Sequence, residues 1–175
     1  MSAWLAIGGP IGPLLAATSL IEGIRLAPSY DKTYVEWLMF HDEIYPFISD
    51  DKSKDIPRED IIKAINSPVF EVIRVFDGAT PCGAFVLEVS GDEAEMHTLL
   101  LPNCRGAKAI EAGKKMIEYM FQKRGIRRVF GFCFSDCKAA IWFTKKIGLK
   151  FESEVPHHNT RGGKSVNRVN FSITN

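Results

Sequence analysis

The sequence predicts an α+β domain, a central, mostly antiparallel mixed sheet of about seven strands with about four helices. Three observations predict it. Apolar residues alternate in twos over some runs and recur every three or four residues over others, so strands and helices share one chain. Three strand-like runs follow one another through short polar turns, which suits antiparallel pairing. At 175 residues the chain suits one domain with a sizeable core.

The elements follow in order from Ile24. "IRLAPS" reads as a short strand. "DKTYVEWLMFHDEIYPFI" (31–48) reads as one helix with Val35, Leu38, Met39 and Ile44 on its apolar side. "IPREDIIKAIN" is a second helix with Pro57 at its start. "VFEVIRVFDG" alternates as a strand does, and "DGATP" turns it into "CGAFVLEVSG", an antiparallel hairpin. After "GDEAE" a third strand of the series ends at Pro102. A long helix follows to about Arg124, with Ala109, Ala112, Met116, Tyr119 and Met120 on one face. "RRVFGFCF" is an aromatic-rich buried strand, and "CKAAIWFTKKIG" a helix closed by Gly148. "LKFESEV" and "SVNRVNFSIT" are the last two strands, with the polar "HHNTRGGK" read as the loop between them.

Residues 1–23 stand apart as an apolar N-terminal arm before the domain at 24–175. The stretch from 2 to 20 carries no charge, but Gly8-Gly9-Pro10 and Gly12-Pro13 break any continuous helix, and the basic start of a secretory signal is missing. The arm reads as a surface that packs on another subunit or protein, as a membrane-seeking segment, or as a flexible lead. Self-association or a protein partner through residues 1–22 is the expectation placed first, with membrane contact second.

A formal net charge of +1 argues against a general nucleic-acid binder, and the Lys and Arg residues between 105 and 128 read mainly as solvated helix surface. Cys82, Cys104, Cys133 and Cys137 form no CxxC pair, and the four histidines form no spaced ligand set. Reduced thiols, no metal and a cytoplasmic location are expected.

The stretch "LLLPNCRGAKAIEAGKKMIEYMF" (99–121) carries the strongest functional signal. A strand over Leu99, Leu100 and Leu101 feeds a helix through a few residues that include Gly106. Such a joint turns the free N–H groups of the first helical turn, and the positive end of its dipole, towards whatever lies beyond the strand. A phosphate is the natural occupant, and an ordinary strand-to-helix joint is the alternative.

The order of elements, with this turn in this place, resembles the GNAT superfamily of acyl-CoA N-acyltransferases over about residues 24–174. In that family a turn of the form Arg/Gln-x-x-Gly-x-Gly/Ala holds the coenzyme A pyrophosphate. If Ala109 takes the last position, Cys104 and Ala107 replace the Arg/Gln and the first glycine. If Arg105 takes the first position, Lys108 and Ile110 replace both glycines. The first register continues better, because "EAGKKMIEYMF" and "CKAAIWFTKKIGLKFES" resemble the branch that acetylates ribosomal-protein N-termini and small amines, with Cys137 where Asn is usual.

The resemblance implies acetyl-CoA as cosubstrate, held along Leu99, Leu100, Leu101, Arg105, Gly106, Ala107, Lys108, Ala109 and Cys137. It also implies a base on the strand before the turn, with Glu95 the first candidate, acting directly or through water; His97 shares its face, and Glu93 joins them if the strand extends, the alternative for both carboxylates being a solvated strand start. The family's thiolate-protonating Tyr is matched here by Thr144, a far weaker acid. Cys137, at a helix start, could gain thiolate character. Asp50 and Asp51 read as a solvated connection or as an attraction for a cationic amine. The expected function is acetyl transfer to a primary amine, on a small molecule, a protein N-terminus or a lysine. The alternative is a GNAT-fold domain with reduced catalysis, an assembly protein docked by its arm, a composition reminiscent of bacteriophage virion components.

Overall fold

The structure, a computed structural model, describes residues 23–175. Apart from Gly23, the apolar arm lies outside the described residues. The described chain forms one seven-stranded sheet in the order β1-β2-β3-β4-β5-β7-β6. The strands are β1 (Ile24–Ser29), β2 (Phe70–Asp77), β3 (Thr80–Ser90), β4 (Glu93–Leu100), β5 (Arg128–Phe134), β6 (Lys150–Arg161) and β7 (Lys164–Thr174). Neighbours pair antiparallel except β4 and β5, which run parallel.

Five α-helices cover the sheet: α1 (Thr33–Met39), α2 (Tyr45–Ile48), α3 (Arg58–Ile65), α4 (Ala107–Arg124) and α5 (Lys138–Lys146). The single helix expected over 31–48 is therefore two. Pro46 has no N–H to give, and its ring would meet the carbonyl four residues back, so the helix cannot run through 42–46. The intervening residues turn instead, with the His41 ring accepting the Glu43 N–H at 3.1 Å. The expected loop over 157–164 is also corrected. β6 continues through it to Arg161, and Gly162 and Gly163, at φ 57° and 74°, make the two-residue turn into β7. Polar residues can build this strand because β6 is an exposed edge.

Two apolar clusters lie on opposite faces of the sheet. Ala112, Met116, Ile117 and Met120 of α4 pack with Phe85, Leu87 and Val129 on one face. Val35 and Leu38 of α1 and Ile65 of α3 pack with Val72, Val86 and Leu99 on the other. The 3.6-residue periodicity of α4 and the twofold alternation of β3 and β4 thus bury complementary stripes. Among the described residues, no helix is long and apolar enough to cross a membrane.

Gly83 on β3 is where the sheet is tightest: a Cβ there would lie 2.5 Å from the Leu99 carbonyl oxygen and 2.6 Å from Leu100 Cδ2. A backbone oxygen cannot step aside as a side chain can. Gly83→Ala is expected to destabilise the fold by about 1–3 kcal/mol, the usual range for overpacking, measured as a lower urea midpoint at unchanged slope.

Candidate functional site

β4 and β5 are paired at Glu93↔Arg128, Ala94↔Val129 and Glu95↔Phe130, and then part. β4 stays with β3 as far as Leu100, and β5 stays with β7 as far as Phe134. Main-chain groups on the facing edges of Met96–Leu100 and Gly131–Phe134 are left without a strand partner. The wedge between them is a cavity of about 160 Å³, bordered by Met96, His97 and Thr98, by Gly131 to Phe134, and by Phe143 and Thr144 of α5. Gly131 opens its apex, since a Cβ there would stand 3.1 Å from the Met96 carbonyl oxygen.

A second cavity of about 250 Å³ shares Phe47, Ile48, Thr98, Ala140 and Phe143 with the first and runs to Arg105, Gly106 and Ala109. Together they make a trough from the strand gap to the start of α4. A larger groove of about 540 Å³ lies between β1, β2 and the C-terminal end of α4. Its cations are committed, Arg124 to Glu71 and Lys32 to the carbonyls of Ile65 and Ser67 at 2.8 and 2.7 Å.

The turn at the foot of the trough is a single 3-10 turn over Pro102–Cys104, then Arg105 and Gly106, then α4. Gly106 caps the helix at φ 70° and ψ −131°, a conformation only glycine adopts readily, and a Cβ there would meet nothing within 4 Å. The N–H groups of Gly106, Ala107, Lys108 and Ala109 find no acceptor among the described residues, while Ile110 N–H returns to the Gly106 carbonyl at 3.2 Å. Both motif registers place a key glycine elsewhere, so Gly106 is the residue the backbone singles out. Of the three leucines, Leu100 borders the trough, whereas Leu99 and Leu101 join the core on the opposite face.

The two cations expected to assist are engaged. The Arg105 guanidinium donates to the Glu43 carbonyl at 2.6 Å and lies 3.5 Å from its carboxylate; Lys108 pairs with Asp77 at 2.5 Å. Arg128 likewise binds Glu93 and Glu152, at 3.4 and 2.9 Å. Glu93 is thus an ion-pair partner at the closed end of the ladder. Any anion in the trough meets main-chain N–H groups first.

His97 borders the gap, and Glu95 stands behind it, 4.0 Å from the imidazole Nε2. Burial in the cleft lowers the His97 pKa, assisted by Arg168 and opposed by Glu95 and Glu88, so the ring is neutral near pH 7. Across the gap Thr144 Oγ1 lies 3.4 Å from Cys133 Sγ. Burial raises the Cys133 thiol, and it also raises that of Cys137 in spite of the Arg161 guanidinium 2.9 Å from its sulfur. Burial thus works against the thiolate character expected of Cys137 from its place at a helix start.

Asp50 and Asp51 hold the chain together. Asp50 is buried, and it accepts Ser53 N–H at 2.7 Å, Ser53 Oγ at 2.6 Å and Asn159 Nδ2 at 2.5 Å. Burial alone would raise its carboxyl, and these hydrogen bonds outweigh it and hold the pKa below the usual carboxylate range. Asp51 accepts Lys54 at 2.8 Å and the N–H groups of Gly162 and Gly163, both at 2.9 Å. Arg161 completes the clamp, donating to the Ser49 carbonyl at 3.1 Å, to Asp136 at 2.5 Å and to the Pro46 carbonyl. The β6–β7 tip is thereby fastened to the segment after α2, beside the trough. Reading "HHNTRGGK" as a loop hid this clamp, although the Gly-Gly pair after Arg161 is itself a hairpin signal.

Neither a protein-family model nor a curated protein sequence matches the chain. Solved structures do match in shape. A chimera of the Vibrio cholerae spermidine N-acetyltransferase SpeG and hSSAT superimposes with a TM-score of 0.71 at 12% identity, over 87% of this chain and 96% of that one. The Vibrio cholerae spermidine N-acetyltransferase in complex with CoA and spermine gives 0.68 at 15% identity, over 86% and 95%. A probable GNAT-family acetyltransferase from Chromobacterium violaceum gives 0.65 at 18% identity, over 99% and 97%. At these identities the likeness establishes the fold, which is the GNAT acyl-CoA N-acyltransferase fold.

The clamp carries a pH signature. Hydrogen bonds from Lys54, Gly163 and Gly162 lower the Asp51 pKa from 3.8 to about 2. A depressed folded-state value means that this contribution to stability is complete above the unfolded value and fades as pH falls through about 4 towards 2. Amide exchange at Gly162 and Gly163 is expected to lose protection over that window in the native protein, and to be unprotected already at pH 6 in Asp51→Ala.

Proposed function

We propose that the domain is a coenzyme A-dependent N-acyltransferase that moves an acetyl group from acetyl-CoA to a primary amine. The observation that carries the reading is the trough itself, which begins at the unpaired edge of β4 and ends at four free N–H groups around Gly106. An extended thioester carrier with a diphosphate at its far end matches both features. The free N–H groups of the first turn of α4 bind the pyrophosphate, and the open edge of β4 takes the pantetheine chain as a further strand would be taken.

The acyl group then lies in the gap between β4 and β5, beside His97. Transfer requires a neutral amine, which attacks the thioester carbon as the C–S bond breaks. His97, backed by Glu95, removes the ammonium proton directly or through water. Thr144 is too weak an acid to protonate the departing sulfur. A thiol pKa near 8.5 nevertheless lets coenzyme A leave as its thiolate and take a proton from water. The neighbour described with CoA and spermine supports an amine acceptor of this general kind. The absence of a tyrosine at position 144 supports a second reading, in which coenzyme A binds and turnover is low.

Titration calorimetry with acetyl-CoA tests the binding claim. Wild type is expected to bind, and Gly106→Asp to bind at least roughly tenfold more weakly, since the substitution strains the backbone by about 1–3 kcal/mol and sets a carboxylate before the phosphates. Unchanged affinity in the variant contradicts the assignment. With acetyl-CoA and an amine panel, His97→Ala and Glu95→Gln are each expected to lose roughly 10²- to 10⁴-fold in turnover, the usual effect of removing a working base, with acetyl-CoA affinity retained. Wild-type binding without turnover selects the second reading.

A further inference from the structure

Glu88 and Glu95 sit directly opposite each other on β3 and β4. Like charges in that relation destabilise a sheet unless something cationic lies between or beside them. Glu88 makes no ion pair or hydrogen bond among the described residues, and the His97 imidazole, 4.0 Å away, is the one basic group within ion-pairing distance of Glu95 among them. His97 projects from the same face of β4, two residues on. One ligand atom from each of the three side chains falls within 4.8 Å of the other two, the one such group among the described residues.

We infer that Glu88, Glu95 and His97 form a binding site for a divalent transition-metal cation of the Zn²⁺ type. Two carboxylates and an imidazole supply an O₂N donor set, and water completes a four-coordinate shell. The imidazole selects against Mg²⁺ and Ca²⁺, which favour oxygen donors. Zn²⁺ ligand distances of about 2.0–2.2 Å require the three groups to draw together, and Glu88, exposed at the surface, is free to swing inwards. The cation facing His97 from β7, Arg168, is held away, with its guanidinium 4.0 Å over the Phe132 ring and its Nε donating to Asn170 at 3.0 Å. The four cysteines, which would otherwise compete for zinc, are buried with raised pKa values. A metal here would occupy Glu95 and His97, so zinc is also expected to compete with the acceptor amine. That consequence rests on the acyl-transfer reading, but metal binding itself does not.

The test uses the full chain, stripped with a chelator and dialysed, with no acyl donor or acceptor present. Calorimetry with ZnCl₂ alone is expected to give one ion per chain. Glu88→Gln and His97→Ala should each weaken binding by at least roughly tenfold, the scale on which disturbing a metal shell is felt. CoCl₂ should give visible bands typical of O/N coordination, without the intense near-ultraviolet absorption of thiolate ligation. Thermal denaturation of Glu88→Gln without metal should show a fold at least as stable as wild type, because one of two opposed charges is gone. No binding below millimolar zinc overturns the inference, as does binding unchanged in both variants or a thiolate band with cobalt.

Discussion

The parting of β4 from β5 after Glu95↔Phe130 is the constraint on which the rest of the structure depends. A parallel ladder that continued would bury both edges and leave no room for a ligand. Because it stops after three residue pairs, two lengths of strand edge face each other with unspent hydrogen-bonding groups. Buried main-chain groups in that condition are costly unless water or a ligand satisfies them. The cavity therefore has a polar demand built into apolar walls, with Met96, Phe132 and Phe143 around it. Gly131 at the apex permits the close approach of Met96, and Pro102 ends β4 where the chain must turn towards α4.

The remaining elements can be read as consequences of keeping that gap open and aimed. α4 packs across β2 and β3 with its first turn at the mouth of the trough, and Gly113 lets α5 approach so closely that Ile147 Cγ2 would stand 2.5 Å from any added Cβ. On the other face, α2 contributes Phe47 and Ile48 to both cavities but is a single turn with no buried residue of its own. Its position depends on the polar clamp of Asp50, Asp51 and Arg161 to the β6–β7 tip. Three hydrogen-bonded charges thus supply what a one-turn helix cannot obtain from apolar burial. The ion pairs of Arg105, Lys108 and Arg128 act in a different way: they commit these cations of the basic stretch to neighbouring carboxylates and leave the main-chain N–H groups at the start of α4 as the free donors of the turn.

Much of this was legible in the sequence where local physics decides the outcome. The alternation of β2 to β4, the periodicity of α4 and the glycine closing α5 each gave their elements, and their order pointed to the fold. The turn after Leu101 was legible as a strand-to-helix joint, yet the motif alignment named Ala107 and Ala109 where the backbone requires Gly106. Motif registers follow side-chain identity, whereas the strained position follows φ and ψ. The break at 40–44 was signalled by Pro46 and overridden by the apolar spacing of Val35, Leu38 and Ile44. The roles of Asp50, Asp51 and Cys137 were not legible, since each is fixed by Asn159, Arg161 or Gly162, more than twenty residues away in the chain. Glu88 escaped notice for a related reason: its partner Glu95 is set by the register of a hairpin, which composition does not reveal.

Under the proposed function, the free N–H groups around Gly106 and the open edge of β4 bind one ligand together. Nitrogen-15 NMR of the full chain during titration with coenzyme A tests it most directly, because it reads those groups one by one. Gly106, Ala107, Lys108 and Ala109 are expected to shift together with Met96 to Leu100 along a single saturation curve, and pantetheine without the diphosphate to move the β4 set alone. Saturable binding that leaves residues 106–109 unmoved, or coenzyme A at millimolar concentration moving neither set, would contradict it.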